Sequence, residues 1–289
     1  MSEVLLTFVH ISDTHIAMND NTTFRREHYS ERILKWMEEA RAGMDEESSH
    51  ANPPVLPSVA NRKLVAEINR LPFDVDFVLH TGDIMTDPEP DEYTAVKEIM
   101  DELRVPIHYL VGNHDSTEGV QRILYGSDDI KPTHDFAIDV NGVLVVGLDS
   151  GTNGIDHGGN FSDEQLAWLD EICSANDTRP MVVGIHHVLQ PLENKLMDFF
   201  QTQNGEEAHN ILKKAGNRVR GVFSGHIHQA IDIVEDGILY SFAPGPITQG
   251  NLFPGQENTR GHKVDPAPGF SVVMITVNRT YVRRYTYTL

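Results

Sequence analysis

The sequence is poor in cysteine, poor in basic side chains and free of long apolar runs, and each scarcity excludes something. Its one cysteine, Cys173, rules out an internal disulfide and any Cys-based zinc cage. It falls in a helical pattern, where a buried structural thiol is expected. Lys and Arg number 23 against 43 Asp and Glu, a formal charge of -20. Such a chain repels polyanions at long range, which argues against a nucleic-acid polymer or an anionic membrane as partner. Solubility accounts for most of the acidity. No apolar run approaches the ~18 residues of a membrane span. The opening MSEVLLTFVHISD has an acidic residue where a secretory leader would be basic, so the expected location is cytoplasmic. No Gly-rich phosphate loop with its Lys is found, and Cys173 lies outside every chemistry-bearing block, so P-loop and covalent-cysteine mechanisms lack their parts.

What is present is an alternation of β-branched runs and amphipathic stretches. Val4–Ile11, Val75–His80, Pro106–Val111, Val143–Leu148 and Met181–His186 read as strands. Tyr93–Leu103, Ser162–Ile172 and Glu206–Ala215 read as helices, the second opened by Ser162 with Gln165 three residues on, a capping-box spacing. After Val219 the chain turns mostly to β, with Ala230–Val234, Ile238–Phe242, Phe270–Val277 and Tyr281–Tyr287, which suggests a second group of strands packing on the first. The expected fold class is α/β: a two-layer β-sandwich flanked by helices, built as one domain over residues 1–289. Two segments read as insertions. Residues 17–62 hold an amphipathic helix with Ile33, Met37 and Ala40 on one face and then the Pro-rich loop DEESSHANPPVLP; residues 249–269 are rich in Gly and Pro. Either is a candidate wall of an active site. The first is alternatively a peripheral helix or a contact between copies in a homo-oligomer.

Chemistry-bearing residues sit where these strands end. The first strand runs into Asp13-Thr14-His15, the second into Gly82-Asp83, and the third into Gly112-Asn113-His114-Asp115. Later runs end in His186-His187 and in Gly225-His226-Ile227-His228. Side chains two apart on an extended chain share a face, so Asp13 with His15, and His226 with His228, can reach one ion. Each block alone is weak: Gly-Asp is usually a turn, and a His-x-His recurs by chance. Five of them in order, each at the end of an expected strand, put polar residues along one sheet edge, where open α/β sheets bind ligands.

As an ordered set, Asp13-x-His15, Gly82-Asp83, Gly112-Asn113-His114-Asp115, His186 and Gly225-His226-x-His228 resemble the signature of the calcineurin-like metallophosphoesterases over residues 4–242. The set most resembles the bacterial cyclic-nucleotide and glycerophosphodiester phosphodiesterase branch. The resemblance implies that Asp13, His15 and His228 hold one metal, that Asn113, His186 and His226 hold a second, and that Asp83 bridges them. Mixed oxygen and nitrogen ligation suits two transition-metal ions drawn from Mn, Fe, Co and Zn. It further implies hydrolysis of a small-molecule phosphate ester by hydroxide held between the metals, with His114 protonating the leaving oxygen. His187-Val188 stands where close relatives often have His-Pro, and His187 is a candidate substrate contact whose bland reading is a structural histidine. His10, His80 and Asp115 read as supporting polar groups. Phosphodiesters are the expected substrates, with a phosphomonoesterase as the alternative. A nuclease would need a basic groove, and a catalytically inactive scaffold would be expected to have lost ligands.

Overall fold

The computed structural model describes residues 3–17, 56–151, 158–194, 197–247, 250, 254–255 and 267–289. Two sheets make up its centre. The first has the order β11-β10-β1-β2-β3, from β1 (Val4–Ile11), β2 (Phe77–His80), β3 (Ile107–Tyr109), β10 (Gly269–Thr276) and β11 (Thr280–Thr286). The second has the order β4-β5-β6-β7-β9-β8, from β4 (Phe136–Val140), β5 (Val143–Leu148), β6 (Met181–Ile185), β7 (Val219–Ser224), β8 (Asp232–Glu235) and β9 (Ile238–Phe242). The strands that feed the site are parallel within each sheet: β1, β2 and β3 in one, β5, β6, β7 and β9 in the other. Antiparallel strands flank them: β10 and β11 beside β1, β4 beside β5, and β8 beside β9.

Alternation along each strand decides which layer a side chain enters. In β1, Leu6 and Phe8 face the other sheet while Val9 and Ile11 face outward; in β5, Val143 and Val145 face inward while Leu144, Val146 and Leu148 face outward. Strands buried on both faces read as continuous apolar runs, which is why they were legible from sequence. The inner layer is centred on Phe8, which stacks on Phe77 at 5.2 Å and meets Phe223 of the opposite sheet edge-on at 5.0 Å. Outside the first sheet lie α1 (Pro57–Ile68) and α2 (Pro90–Met100), contributing Leu64, Val65, Val96 and Ile99. Outside the second lie α3 (Asp163–Ser174) and α4 (Gly205–Lys214), contributing Leu166, Leu169, Cys173, Ile211 and Leu212. The expected capping box is formed: Ser162 Oγ accepts the Gln165 N–H at 3.2 Å, and Gln165 Oε1 accepts the Ser162 N–H at 3.0 Å. Arg284 on β11 reaches across the open edge to Asp232 and Ser241 of the second sheet, clasping the two layers.

The two-layer sandwich with outer helices is as expected, but the C-terminal strands do not form a layer of their own. β7, β8 and β9 extend the sheet begun by β4 to β6, while β10 and β11 return to pair beside β1. Strand patterns report burial, not partners, so this division had no signal in the chain. The edge strand β4 and helix α1 were not anticipated. Residues 57–62 of the first expected insertion are the opening turns of α1, and the helix expected around Ile33, Met37 and Ala40 lies outside the described residues. So does most of 249–269.

Because Phe223 fills the layer between the sheets, Phe223→Ala is expected to lower unfolding free energy by about 3–5 kcal/mol. Chemical denaturation at fixed metal concentration measures it. A loss below about 1 kcal/mol would show that the aromatic layer does not hold the sheets together.

Candidate metal centre

The strand ends of both sheets meet at one seam, and backbone hydrogen bonds lock their loops together. Beyond β1 and β2 the chain continues as a paired track: Asp13 N–H donates to Gly82 O at 3.0 Å, His15 N–H to Asp83 O at 3.1 Å and Ile16 N–H to Ile84 O at 3.0 Å. Asp115 ties in the loop after β3, accepting the Gly112 N–H at 2.8 Å and the Ile84 N–H at 2.9 Å. In the second sheet Gly225 N–H donates to His186 O at 3.1 Å. The seam itself is crossed by the His226 N–H, which lies 2.9 and 3.1 Å from the two carboxylate oxygens of Asp13.

The pleat does not bring the paired residues together, as the sequence spacing had suggested. Asp13 (φ 55°), His15 (φ 38°), Asp83 (φ 51°), His226 (φ 71°) and His228 (φ 52°) all adopt left-handed backbone. Each reversal turns a side chain inward just past its strand, at a cost of order 1–3 kcal/mol per residue that the surrounding loops must offset. Gly82, at φ 96°, could carry a side chain only against the Gly112 backbone and the His186 ring. Gly225 packs so closely on Ser12 and Asp13 that a Cβ there has no room.

Two groups of donor atoms result. Asp13, His15, Asp83 and His228 form one, with His15 Nε2 and His228 Nε2 3.1 Å apart and His228 Nε2 3.4 Å from Asp13 Oδ1. His186, His187 and His226 form the other, and Asn113 Oδ1 lies 3.2 Å from His186 Nε2. Ligands held about 2.0–2.2 Å from one ion lie roughly 3–3.5 Å apart, so these spacings are those of atoms sharing a cation. The donor chemistry agrees. His186 Nδ1 is 2.7 Å from Thr81 O, and a carbonyl only accepts, so Nδ1 carries the hydrogen. The lone pair on Nε2 then faces Asn113 Oδ1 and, at 3.3 Å, Asp83 Oδ1. Only a proton or a metal cation between these acceptors reconciles them.

The ionisation tendencies express the same demand. Burial opposes charge on His186, but the Asp83 carboxylate beside it prevails and raises its pKa to about 9. Burial alone would raise Asp83, whose pKa is instead held well below the usual carboxylate range by His186 and His114. Burial dominates at His15 and His226 and lowers both, which keeps their imidazoles neutral and able to bind metal. His226 Nε2 is buried without a hydrogen-bond partner among the described residues. Beneath the site, burial holds His80 down to about 3; its Nε2 donates to Thr14 Oγ1 at 2.9 Å, which donates on to Ile84 O at 2.7 Å.

His114 stands on the rim. Its Nδ1 donates to Thr86 O at 2.8 Å, its N–H to Asp83 Oδ1 at 3.0 Å, and its ring meets His15 edge-on at 4.9 Å. His187 is fully buried, with Nδ1 2.8 Å from Ser150 Oγ and its ring 4.8 Å from both His186 and His226. Ser150 and Asp149 follow β5, a sixth strand end that no motif had marked; Asp149 Oδ2 accepts from Thr117 Oγ1 at 2.7 Å. Their signal is only a strand running into Asp-Ser.

The model of the calcineurin-like phosphoesterases matches residues 6–230. The chain belongs to that family. As a calcineurin-like phosphoesterase it is a metal-dependent hydrolase of phosphoesters. It is 30% identical over 210 residues to the 3',5'-cyclic adenosine monophosphate phosphodiesterase CpdA of Pseudomonas aeruginosa, covering 69% of this chain and 75% of that one. It is 28% identical over 187 residues to the probable glycerophosphodiester phosphodiesterase GpdQ of Arcobacter nitrofigilis, covering 64% and 68%. A dimetal phosphatase from Danio rerio shares the fold, with a TM-score of 0.62 at 16% identity over 99% of this chain and 100% of that one. No helix among the described residues is long and apolar enough to cross a membrane.

Gly225→Ala forces a methyl group onto Ser12 and Asp13 at the seam. The variant phosphoesterase is expected to keep its far-ultraviolet circular dichroism yet retain less than about a tenth of the bound metal, the scale of a disturbed supporting shell. Full metal content by elemental analysis would show that the seam tolerates the shift.

Proposed function

We propose that the chain is a dinuclear phosphodiesterase acting on small-molecule diesters such as cyclic nucleotides or glycerophosphodiesters. The observation that carries the dinuclear reading is Asp83: its Oδ2 lies 3.7 Å from His15 Nε2 and its Oδ1 3.3 Å from His186 Nε2, so one carboxylate faces both donor groups. On this reading Asp13, His15 and His228 hold one ion, Asn113, His186 and His226 the other, and Asp83 spans them. The nitrogen-rich set suits Mn(II), Fe(II/III), Co(II) or Zn(II). When bound, such a pair supplies an activated water and neutralises charge on the phosphoryl oxygens.

The residues of the chain do the rest. Thr86 O fixes the His114 ring, so that His114 Nε2, when protonated, can pass its proton to the departing alkoxide. Asp115 holds the Asn113–His114 loop against the Asp83 loop and so keeps His114 fixed beside Asp83. The diester preference is supported by the relatives' activities and by charge. No Arg or Lys occurs in 11–21, 79–91, 111–121, 183–192 or 223–233, so these loops lack the guanidinium clamp suited to a dianionic monoester.

His114→Ala is expected to keep its metal while kcat falls roughly 10²–10⁴-fold, the usual worth of a positioned proton donor. Asp83→Ala should lose metal and activity together. Elemental analysis beside steady-state kinetics separates them, and an emptied site in His114→Ala would make that residue a ligand. With one metal and one leaving group, 4-nitrophenyl diesters are expected to have kcat/KM at or above that of 4-nitrophenyl phosphate. A much higher monoester value would sink the diesterase reading and leave the dinuclear one standing.

A further inference from the structure

The centre has a buried floor and an accessible rim. Asp13, Asp83, His186 and His187 are buried, whereas His15, Asn113, His114, His226 and His228 are half-buried, so a substrate meets the second set first. One half-buried side chain on this rim belongs to no motif and carries no donor atom. Phe200 stands edge-on to the His226 ring, with centroids 6.0 Å apart, and packs edge-on against Phe199 at 5.0 Å. It closes the short turn Asp198–Phe200.

That turn is held firmly. Asp198 Oδ1 accepts the Leu192 N–H at 2.7 Å, and Asp198 Oδ2 accepts the Asn194 N–H at 3.0 Å. Just beyond Phe200, Thr202 N–H donates to Val188 O and Gln203 N–H to Gly159 O, each at 2.8 Å. The chain leaving His187 is thus folded back on itself, and the ring returns beside a metal-ligand candidate at a fixed position. An aromatic ring half-exposed next to a charged centre offers a planar apolar surface that needs no rearrangement to bind.

The rim also separates two roles. His114 abuts His15, in the first donor group, while Phe200 abuts His226, in the second. A phosphodiester has two organic arms. Hydrolysis with the departing oxygen at His114 leaves the other arm on phosphorus, and the His226 side of the rim is where that arm can meet an apolar surface. Resting on the phosphodiesterase reading, we propose that Phe200 is the wall of a subsite for the retained arm, and that it selects a planar aromatic group, an aryl ring or a nucleobase, over a small alkyl group. A monoester has no retained arm and leaves this subsite unused.

The test compares wild type with Phe200→Ala and Phe200→Leu, manganese-loaded, on three substrates that share the 4-nitrophenolate leaving group: 4-nitrophenyl phenyl phosphate, methyl 4-nitrophenyl phosphate and 4-nitrophenyl phosphate. Phe200→Ala is expected to lower kcat/KM for the phenyl diester roughly 3–10-fold, mainly through KM, as an aromatic contact of ordinary strength would. The methyl diester and the monoester should change by less than about twofold, and Phe200→Leu should fall between. Calorimetric binding of phenylphosphonate and methylphosphonate gives the same comparison without turnover: the phenyl compound should weaken by a similar factor and the methyl compound should not. Equal losses on all three substrates, an unchanged phenyl-to-methyl ratio, or loss of manganese in Phe200→Ala would overturn the proposal. Wild-type protein active only on the monoester would refute the diesterase reading instead, and the phosphonate comparison would still decide the role of Phe200.

Discussion

Acceptor atoms that repel one another are buried together at the seam between two sheets, and most of the surrounding structure is there to keep them so. Asp13 and Asp83 are almost wholly buried beside the neutral imidazoles of His15 and His226. Burying such carboxylates without compensation is unfavourable by several kcal/mol each. Part of the compensation comes from donors fixed in the backbone, such as the His226 N–H on Asp13 and the His114 N–H on Asp83. The remainder is the attraction of the site for cations, which is what a phosphoesterase needs to counter the charge of its substrate.

This arrangement explains why the strain lies where it does. Left-handed backbone outside glycine is found at few described positions, and five of them carry candidate ligands. A strand delivers its residues to an edge but aims them alternately up and down; only a reversal of the chain just past the strand turns successive polar residues onto one point. The paired track after β1 and β2, the Asp115 brace and the close approach at Gly225 hold these reversals in place. The supporting atoms are largely backbone atoms, so the site is insulated from much of the side-chain variation elsewhere in the chain.

Much of the fold was legible because strands buried on both faces cannot be anything but apolar: Val143–Leu148 appears as a strand with the bounds its composition implies. The exposed edge strand β4 has no such constraint, and α1 begins at Pro57 after a Pro-rich stretch that reads as loop. Pairing was illegible for a different reason. Nothing in Phe270–Thr276 distinguishes a neighbour of β1 from a neighbour of β9, since register and partner are settled by packing. At the site, the motifs named the residues but not their supports. Ser150 against His187, Thr86 O against His114 and Phe200 against His226 come from segments with no characteristic spacing.

The return of β10 to the side of β1 has a consequence for how the molecule is assembled. Phe8 pairs across the ladder with Val273, so the first strand waits for a partner that lies far along the chain. Until then one edge of β1 is bare, and the first sheet is open on the side of the strand that supplies Asp13. Contacts so distant in sequence form slowly, because a long loop must close before any of its pairings is rewarded. An uncovered, strongly apolar edge is at the same time a template for joining the wrong chain. The excess of negative charge, unhelpful for binding phosphate, keeps nascent copies apart during that interval.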